Sequence, residues 1–510
     1  MEGLDSTCFT ESSKSFTVSF SSCTNLPQRC HSTSTACPML TKIKPRAAAA
    51  IRSAAPIRLL ATQANNNSQQ LIALNKPTYN TRQIVSEIED VLATAAKREL
   101  PSHIIEKIKQ IPEKHKAANE ILTEVNDLLF QRNNIQKQIK AYMKEKRDIE
   151  PLKAEQIENR NKERELTDKY KTAEAELHEI LESVPNSIDP SVSSTEQIVN
   201  WLNPRGQYIA DPKLEHQNIA QELGILDLKQ ASVVSGNSWY YLLNDGALLE
   251  QALVQYALKL ARQHGFKMAL PPSMVRSEVS NACGFKPRDT NNEQQTYSVG
   301  EDGKLCLTGT AEIPLAGLGI NKTFQESELP HRVVGLSRSY RAEAGARGKD
   351  TKGIYRVHEF TKVELFVWST QTQSVDELEK LKEFQMDLIR SLGLSAKVIN
   401  MPYNDLGAPA YKKYDIEAWM PGRGTFGEVT SCSNCTDFQS RRLQTKYKSL
   451  KEKKSLFVHT LNGTAMAVPR VIVAILENFY DKASKRVAIP KVLQAYMDDK
   501  QFIVAEKSIF

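Results

Sequence analysis

Residues 341–353, RAEAGARGKDTKG, join two segments with strand character, and this connection constrains the fold more than any other part of the chain. RVVGLSRSY leads into it and IYRVHEFTKVELFVW leads out. A P-loop requires GxxxxGK[ST] before a helix, whereas here Asp350 follows Lys349 and a strand comes next. The sequence therefore predicts two antiparallel strands, and a phosphate bound there must be held by side chains, with Arg341 as the obvious clamp.

The second strand alternates between two kinds of side chain. Apolar residues recur on one face, at Val357, Val363, Leu365 and Val367. The other face carries an imidazole, an aromatic ring, an amine and a carboxylate, at His358, Phe360, Lys362 and Glu364. We predict that the apolar face packs on the core and that the polar face contacts a ligand.

A second strand-to-helix segment lies near the end of the chain. VHTLNGTAMAVPRVIVAILENF (458–479) predicts a strand, a turn and a helix with Pro469 in its first turn. The helix is apolar almost all round and should be buried, yet Arg470 lies in its first turn. A buried arginine requires an anionic partner, which is either a structural carboxylate or a bound phosphate.

Two long amphipathic helices precede this region. Apolar residues recur at helical spacing after Pro112, at Leu122, Val125, Leu128, Leu129, Ile135, Ile139 and Met143. A second stripe runs from about Leu152 to Ser183, at Ile157, Leu166, Tyr170, Ala173, Leu177 and Leu181. Each helix is about 45 Å long, and the short break between them predicts an antiparallel hairpin over about 113–183.

Positive charge is concentrated near the tip of this hairpin. Between Gln131 and Arg147 the only acid is Glu145, and the six basic residues are Arg132, Lys137, Lys140, Lys144, Lys146 and Arg147. Such a cluster can bind a nucleic-acid backbone. The alternative is an ordinary solvated face of a coiled coil.

The first 86 residues hold most of the net charge. They contain nine Lys or Arg and three acids, which gives +6 of the formal +7. Residues 39–64 are basic, free of acids and amphipathic, which is typical of a mitochondrial import signal. A disordered basic tail is the alternative, chloroplast targeting and a dual cytosolic localisation stay open, and Met39 is a second candidate start. The rest of the chain is nearly neutral and contains no run of about 18 apolar residues, so we expect no membrane partner.

The eight cysteines indicate little about function. Four lie in the leader and the others are Cys283, Cys306, Cys432 and Cys435. Cys432 and Cys435 form a single CxxC pair, which is half of a zinc knuckle. We expect reduced thiols there, with metal or redox chemistry as the alternative.

These segments together resemble seryl-tRNA synthetase, a class II aminoacyl-tRNA synthetase, over roughly residues 80–500. SYRAEAGARGKDTKGIYRVHEFTKVELF resembles motif 2 and LNGTAMAVPRVIVAILENF resembles motif 3. The helix that ends at Pro271-Pro272 resembles motif 1, the dimer-forming element. LTGTAEIPL (307–315) resembles the serine loop, and GEVTSCSNCTDFQSRR (427–442) the metal-and-ATP strand.

The resemblance implies a role for each matching residue. The residues expected to bind ATP are Arg341, Glu343, Phe360, Glu428, Ser431 and Arg470, with Mg²⁺ on Glu428 and Ser431 and catalysis assigned to Arg341 and Arg470. The residues expected to bind serine are Thr310, Glu312, Arg341, Glu364 and Thr464, the last where many members have Ser. The residues expected to bind tRNA(Ser) are Arg132, Lys137, Lys140 and Lys144.

The resemblance also implies a fold and an activity. The fold class is α+β: a helical arm followed by an antiparallel-sheet catalytic domain flanked by helices. We predict a targeting leader at 1–62, a tRNA-binding domain at 63–190 and a catalytic domain at 191–510. The expected protein is a serine–tRNA ligase of the mitochondrial matrix that forms a homodimer through the motif 1 helix and Pro271/Pro272. The alternative is a catalytically inactive paralogue that binds RNA or a partner.

Overall fold

The structure of the protein is a computed structural model that describes residues 74–286, 294–342 and 353–506. The α-helices of these ranges are α1 (Thr81–Ser86), α2 (Ile88–Lys97), α3 (Ser102–Lys109), α4 (Ile111–Lys144), α5 (Glu150–Glu182), α6 (His216–Glu222), α7 (Lys229–Ser235), α8 (Asn244–Gln263), α9 (Ser277–Ala282), α10 (Glu312–Gly317), α11 (Ser374–Ser391), α12 (Phe438–Leu443), α13 (Val468–Phe479) and α14 (Lys491–Gln494). None of them combines the length and the apolar character that crossing a bilayer demands.

The strands follow the helical N-terminal region. They are β1 (Gln197–Leu202), β2 (Leu226–Asp227), β3 (Tyr241–Leu242), β4 (Lys267–Ala269), β5 (Met274–Arg276), β6 (Ser298–Val299), β7 (Leu305–Leu307), β8 (Thr323–Gln325), β9 (His331–Tyr340), β10 (Glu359–Ser369), β11 (Ala396–Asn400), β12 (Lys412–Met420), β13 (Thr425–Asn434), β14 (Lys446–Lys448), β15 (Ser455–Phe457), β16 (His459–Ala467), β17 (Tyr480–Asp481), β18 (Arg486–Ala488) and β19 (Phe502–Val504).

Helices α4 and α5 form the predicted helical arm. Each begins with a proline in its first turn, Pro112 and Pro151, where a missing N–H costs nothing. Val125 and Ile135 are buried in the seam between the helices. Asn159 is also buried there and donates a hydrogen bond to Gln131 Oε1 at 3.2 Å. The seam is therefore partly polar, and a single buried amide of this kind fixes the register of paired helices.

Two residues of the predicted stripes lie outside the seam. Met143 is 61% exposed and Ile157 is 62% exposed. Ile157 precedes the inward-facing Asn159 by two positions, which places it about 200° away around the helix. Met143 lies in the last turn before the tip, where only the first residues of α5 can cover it. The prediction that both belong to the apolar seam is wrong.

An eight-stranded sheet forms the centre of the second part, in the order β1-β11-β12-β13-β16-β10-β9-β4. Strand β4 runs parallel to β9, and the other neighbouring strands are antiparallel. Val363, Leu365 and Val367 of β10 are fully buried and pack against apolar residues of α8, α11 and α13. The opposite face of β10 carries Phe360, Lys362 and Glu364, as the alternation in the sequence predicts.

The turn predicted within residues 458–479 is absent. Strand β16 continues through Asn462 and Gly463 to Ala467, and α13 begins at the next residue. Gly463 pairs with Leu365 on one side and with Cys432 on the other. A Cβ atom at Gly463 would lie 3.3 Å from Cys432 Cβ, so the glycine permits close strand packing instead of a turn.

Gly353, the last glycine of the 341–353 connection, has a structural function. Its φ angle is +68°, and a Cβ atom there would lie 1.9 Å from His216 Nε2. That nitrogen accepts a hydrogen bond from the backbone N–H of Ile354 at 3.1 Å, while Nδ1 lies 2.9 Å from Glu477. The buried His216 ring therefore leaves no room for a side chain at position 353, and the positive φ angle also favours glycine. The same ring holds the backbone of Ile354 where the chain re-enters the sheet domain.

A buried arginine joins the helical region to the sheet domain. Arg98 follows α2 and is 6% exposed. Its guanidinium donates to five backbone carbonyls at 2.7–3.3 Å, those of Asn186, Ser187, Leu406, Gly407 and Ala410. Burial lowers the pKa of Arg98 to about 10. Carbonyl dipoles on both sides of the junction therefore replace the water around this cation.

We expect Arg98→Met to lower the free energy of unfolding by about 3 kcal/mol, because five carbonyls would lose a buried donor. Urea denaturation followed by circular dichroism measures this change. Arg82→Met, which removes an exposed guanidinium from α1, is the matched control. Equal stability of the two variants would show that the carbonyl cluster does not hold the junction.

Candidate active site

One pocket collects most of the residues that the sequence predicts to bind ATP. It contains about 940 Å³ of empty space, open solvent included, on the polar face of the sheet. Its lining includes Arg341, Phe360, Glu428, Ser431, Thr464 and Arg470. These residues come from β10, β13, β16, the start of α13 and the position after β9, so the antiparallel sheet brings distant parts of the sequence together. Glu343, predicted to contact adenine, lies outside the described residues.

Arg341 lies at the exit of β9. Its backbone N–H donates to His358 O at 2.9 Å, and His358 Nδ1 lies 3.0 Å from Arg341 O. The side-chain Nε donates to Gly309 O at 3.4 Å, and the guanidinium carbon lies 5.4 Å from the centre of the Phe360 ring. The strand pairing therefore holds this cation over the aromatic ring on the pocket wall.

Arg470 forms an ion pair inside the same pocket. Its Nη1 lies 2.8 Å from Glu428 Oε2 and donates to Glu428 O at 3.2 Å. The two side chains are 20% and 35% exposed. The sequence allows two partners for Arg470, a structural carboxylate or a bound phosphate. The structure shows the carboxylate, that of Glu428. That carboxylate is itself a predicted ATP-site residue, so both charges of the pair remain on the pocket wall.

The arginines keep Glu428 ionised. Burial alone raises the pKa of the Glu428 carboxyl, but the charges of Arg470, Lys413 and Arg341 outweigh it and hold that pKa well below its usual value. A permanently ionised carboxylate beside the Ser431 hydroxyl is a donor set that suits Mg²⁺. Oε2 is engaged by Arg470, and no cluster of three or more His, Cys, Asp or Glu occurs among the described residues. The set therefore fits a cation that takes its other ligands from water and substrate phosphates.

The residues predicted to bind serine lie on both sides of a buried lysine. Lys362 Nζ lies 2.6 Å from Glu364 Oε2 and donates to Thr310 Oγ1 at 3.0 Å. Glu364 is fully buried, and neither of its oxygens receives a hydrogen bond of good geometry within the described ranges. A buried carboxylate with unused acceptor capacity can bind a hydroxyl donor strongly. Lys362 lines the ATP pocket beside Arg341 and Thr464.

Glu312 lies deeper and faces a different cleft. Its Oε1 accepts from Gln439 Nε2 at 2.6 Å and its Oε2 accepts from Asn462 Nδ2 at 2.9 Å. Burial, reinforced by the charge of Glu364, raises the pKa of Glu312 to about 7 against opposing contributions from Gln439, Lys362 and Arg341. The carboxyl can therefore change its charge state near neutral pH when a cation arrives.

Several residues of the site are not in the predicted set. Lys362 has the clearest sequence signal, because it stands between Phe360 and Glu364 on the same strand face. Tyr355 and Arg356 also line the pocket, but they precede β10 and follow no alternation. Lys413 and Asp415 form a buried ion pair at 2.8 Å on β12, behind Glu428. Only the pairing of β12 with β13 brings this pair close to Glu428, so the sequence gives no sign of it.

The basic residues of the arm are not equivalent. Lys137, Lys140 and Lys144 are exposed on α4. Arg132 is half-buried, and its Nη1 lies 2.7 and 2.8 Å from the carboxylate oxygens of Glu163 on α5. Arg132 therefore braces the hairpin, whereas the three lysines face solvent.

Cys432 and Cys435, the CxxC pair, are buried free thiols, and burial raises the pKa of both.

Two family models match the chain. One is described as tRNA synthetase class II core domain (G, H, P, S and T) and matches residues 297–479. The other is described as Seryl-tRNA synthetase N-terminal domain and matches residues 79–188. A serine–tRNA ligase of mitochondria from Saccharomyces cerevisiae is 48% identical over 441 residues, which cover 86% of this chain and 98% of that protein.

The chain belongs to the seryl-tRNA synthetase family. The predicted enzyme class, a serine–tRNA ligase with a class II fold and a helical arm, is confirmed. A mitochondrial serine–tRNA ligase of Schizosaccharomyces pombe is 46% identical over 58% of this chain and 61% of that protein. The crystal structure of seryl-tRNA synthetase from Pyrococcus horikoshii complexed with ATP superposes with a TM-score of 0.72, at 36% identity, over 83% of this chain and 99% of that one. These relatives give no support to the alternative of an inactive paralogue.

The raised pKa of Glu312 predicts a pH dependence of stability. The pKa is about 7 in the folded chain and 4.5 ordinarily, so the folded state binds the proton more tightly. This stabilisation is complete below about pH 4.5 and is lost as the pH rises to about 7, for a total of about 3 kcal/mol. We expect the stability of Glu312→Gln relative to the natural chain to increase by that amount over this interval, as measured by urea denaturation. A difference that does not change with pH would contradict the assignment.

Proposed function

We propose that the chain activates L-serine with ATP and transfers the seryl group to tRNA(Ser) in mitochondria, with each residue of the candidate site in the role that its chemistry suits. The observation that carries the proposal is the convergence of Arg341 and Arg470 on one pocket, together with Phe360, Glu428 and Ser431. The similar structure from Pyrococcus horikoshii was solved with ATP. The similarity to mitochondrial ligases of two yeasts supports the location, as does the basic, acid-free segment 39–64.

ATP would lie across the wall formed by β10 and β13. Phe360 offers a ring face to adenine, with Glu343 as the partner of its amino group. Arg341 is placed to contact the α-phosphate, and Arg470 to contact the γ-phosphate on the far side of Glu428. Mg²⁺ held by Glu428 and Ser431 would neutralise phosphate charge. Because Arg470 pairs with Glu428 at 2.8 Å, we infer that phosphate oxygens share or displace this contact.

Serine would lie between Arg341 and the buried acids. Its ammonium group suits Thr310 and Glu312, and its carboxylate suits Arg341. Its hydroxyl suits Glu364, whose oxygens have unused acceptor capacity, with Thr464 nearby on the pocket wall. Alanine would leave Glu364 Oε1 without a donor, because the Lys362 ammonium lies beside Oε2, and losing such a hydroxyl contact costs about 10⁴-fold in specificity.

The reaction requires charge stabilisation more than a protein nucleophile. A serine carboxylate oxygen attacks the α-phosphorus, the bond to the bridging oxygen breaks, and pyrophosphate leaves with the electron pair. Both reactants are anionic, so guanidinium groups at both ends of the triphosphate lower the barrier by stabilising charge in the transition state. A ribose hydroxyl oxygen of the tRNA then bonds to the seryl carbonyl carbon, the bond from that carbon to the phosphate oxygen breaks, and AMP leaves with the electron pair while the hydroxyl proton passes to the leaving phosphate.

Two surfaces would serve macromolecular partners. Lys137, Lys140 and Lys144 on the arm offer exposed charge to the tRNA backbone. Strand β4 is an edge of the main sheet, and next to it Leu270 is 78% exposed, Met268 51% and Met274 43%. An apolar edge beside Pro271 and Pro272 suits a second copy of the chain, so we propose a homodimer through this element.

We propose that the chain divides into a leader at 1–62, an arm domain at 63–190 and a catalytic domain at 191–510.

We expect Arg341→Ala to lower serine-dependent ATP–pyrophosphate exchange by about 100- to 1,000-fold, as removal of one transition-state donor does. Filter binding of tRNA should stay within twofold. Arg338→Ala is the matched control, since Arg338 lies three residues earlier on β9 and pairs with Glu359 at 2.9 Å. Equal loss in both variants would indicate damage to the strand and not to a phosphate contact.

We expect the triple change of Lys137, Lys140 and Lys144 to Ala to weaken tRNA binding and to reduce the slope of log Kd against log salt by about 2 to 3. Pyrophosphate exchange should not change, because the arm does not reach the ATP pocket lining. The control is the triple change of Lys107, Lys109 and Lys116, which are exposed at the base of the arm. If both triple variants alter the slope equally, the tip has no special role.

A further inference from the structure

A buried glutamine of α12 is bonded to the carboxyl group that is the proposed partner of the serine ammonium group. Gln439 is fully buried, and its Nε2 donates to Glu312 Oε1 at 2.6 Å and to Cys283 O at 3.4 Å. Its Oε1 accepts from Thr460 Oγ1 at 2.8 Å. The amide therefore links a hydroxyl of β16 to the carboxyl at the start of α10, and neither Gln439 nor Thr460 lines the ATP pocket.

The surroundings of this amide allow it only one orientation. Cys283 O is a backbone carbonyl and can only accept, so the NH₂ group must lie on the side of Glu312. The backbone of Thr460 is fixed, since its N–H donates to Thr436 O and its carbonyl accepts from Cys435 N–H, both at 2.9 Å. A hydroxyl held at that point can donate to the amide oxygen. Turning the amide over would place its oxygen against a carbonyl and a carboxylate, which are both acceptors.

The amide also acts on the charge of the carboxyl group. Glu312 accepts an N–H donor at each oxygen, from Gln439 at Oε1 and from Asn462 at Oε2, and such donors favour the ionised form. Burial and the charge of Glu364 favour the protonated form. Asn462 lines an open cleft, where water can replace its amide, whereas Gln439 is fully buried. Gln439 is therefore the donor that solvent cannot replace.

The ionisable groups that face Glu312 are Arg341, Lys362, Glu364, Cys283 and Cys435. The two cations favour the charge of the carboxylate, and the second acid opposes it. Burial raises the pKa of both thiols well above its ordinary value, so they are neutral. Other charged side chains of α9, α12 and β16 have their own partners: Glu278 pairs with Arg276 at 3.3 Å, Arg441 pairs with Asp437 at 2.6 Å, Arg442 donates to Phe438 O at 2.8 Å, and His459 Nδ1 lies 2.7 Å from Ser374 Oγ.

We propose that Gln439, oriented by Thr460, is a positioning residue that keeps the Glu312 carboxylate charged and directed at the ammonium group of serine, an inference that rests on the proposed function. An ionised carboxylate attracts the ammonium group of an amino acid, and a protonated carboxyl does not. Gln439 acts through Glu312 and lies outside the ATP pocket lining. Its loss should therefore affect the KM for serine and spare both kcat and the KM for ATP.

The pH dependence of serine binding tests this role. The pKa of Glu312 is about 7 in the natural chain, and the hydrogen bond from Gln439 lowers it. We expect Gln439→Met, which keeps the side-chain length and removes the amide, to move the pH dependence of the KM for serine upwards by about one pH unit. In pyrophosphate exchange at saturating ATP, that KM should be about eight times the natural value at about pH 6.5 and within about twofold of it at about pH 8.5.

The matched control for this variant is Gln371→Met. Gln371 donates to Phe457 O at 3.5 Å and bonds to no residue of the candidate site, so its replacement should leave the pH profile unchanged. A rise in the KM for serine that is equal at every pH in Gln439→Met would overturn the proposal, because it would indicate a displaced Glu312 with an unchanged charge.

Thr460 supplies a second pair of variants that leave the glutamine in place. Thr460→Val removes the hydroxyl at almost constant volume and should shift the profile in the same direction by about half a pH unit, since the amide is no longer held with its donors towards Glu312. Thr460→Ser retains a hydroxyl and should restore the natural profile. Equal shifts in both variants, or no shift in Thr460→Val, would overturn the orienting role of Thr460.

Glu312→Gln separates this inference from the proposed function. We expect it to raise the KM for serine and to remove the dependence of that KM on pH near 7. If Glu312→Gln has this effect and Gln439→Met keeps the natural profile, the inference alone is refuted. Failure of the natural chain to form seryl-adenylate would instead refute the proposed function itself.

Discussion

The ion pair between Arg470 and Glu428 connects the fold to the chemistry. It joins the first turn of an apolar helix to a strand of the main sheet, with 2.8 Å between Nη1 and Oε2. Neither charge would be stable beside the core without the other, because removing one partner of such a pair leaves an uncompensated ion. The same pair keeps the Glu428 carboxyl ionised and points a guanidinium into the pocket. Arg341 and Lys362 extend this principle, since Arg341 also lowers the pKa of Glu428 and Lys362 lies 2.6 Å from Glu364.

Local patterns in the sequence predict the framework of this site well. Alternation over residues 357–367 is sufficient to separate a core face from a ligand face, because β10 is central and its apolar side is fully covered. The two amphipathic stripes predict the arm, because helix pairing depends mainly on spacing within each helix. Arg470 in an apolar helix correctly indicates a buried cation with an anionic partner. What it could not indicate is that the partner is Glu428, 42 residues away and on a strand of the sheet.

Other features depend on contacts that no local pattern contains. Asn462-Gly463 has the composition of a turn, but pairing with β10 and β13 keeps it in a strand. Arg98 occurs in an ordinary helical segment, and only the fold brings five carbonyls around it. Arg132 belongs by sequence to the basic tip, yet Glu163 on the opposite helix binds it. Glu312 matches a serine-site residue, but its hydrogen-bond partners, Gln439 on α12 and Asn462 on β16, come from distant parts of the chain. In each case tertiary contacts override composition.

Arg341 and Arg470 should bind one nucleotide triphosphate together. A crystal structure of the full chain with Mg²⁺ and a non-hydrolysable ATP analogue tests it most directly. We expect both guanidiniums to lie within hydrogen-bond distance of phosphate oxygens of the same molecule, with Glu428 turned towards the metal. An analogue bound elsewhere, or an Arg470 that stays on Glu428 without any phosphate contact, would contradict it.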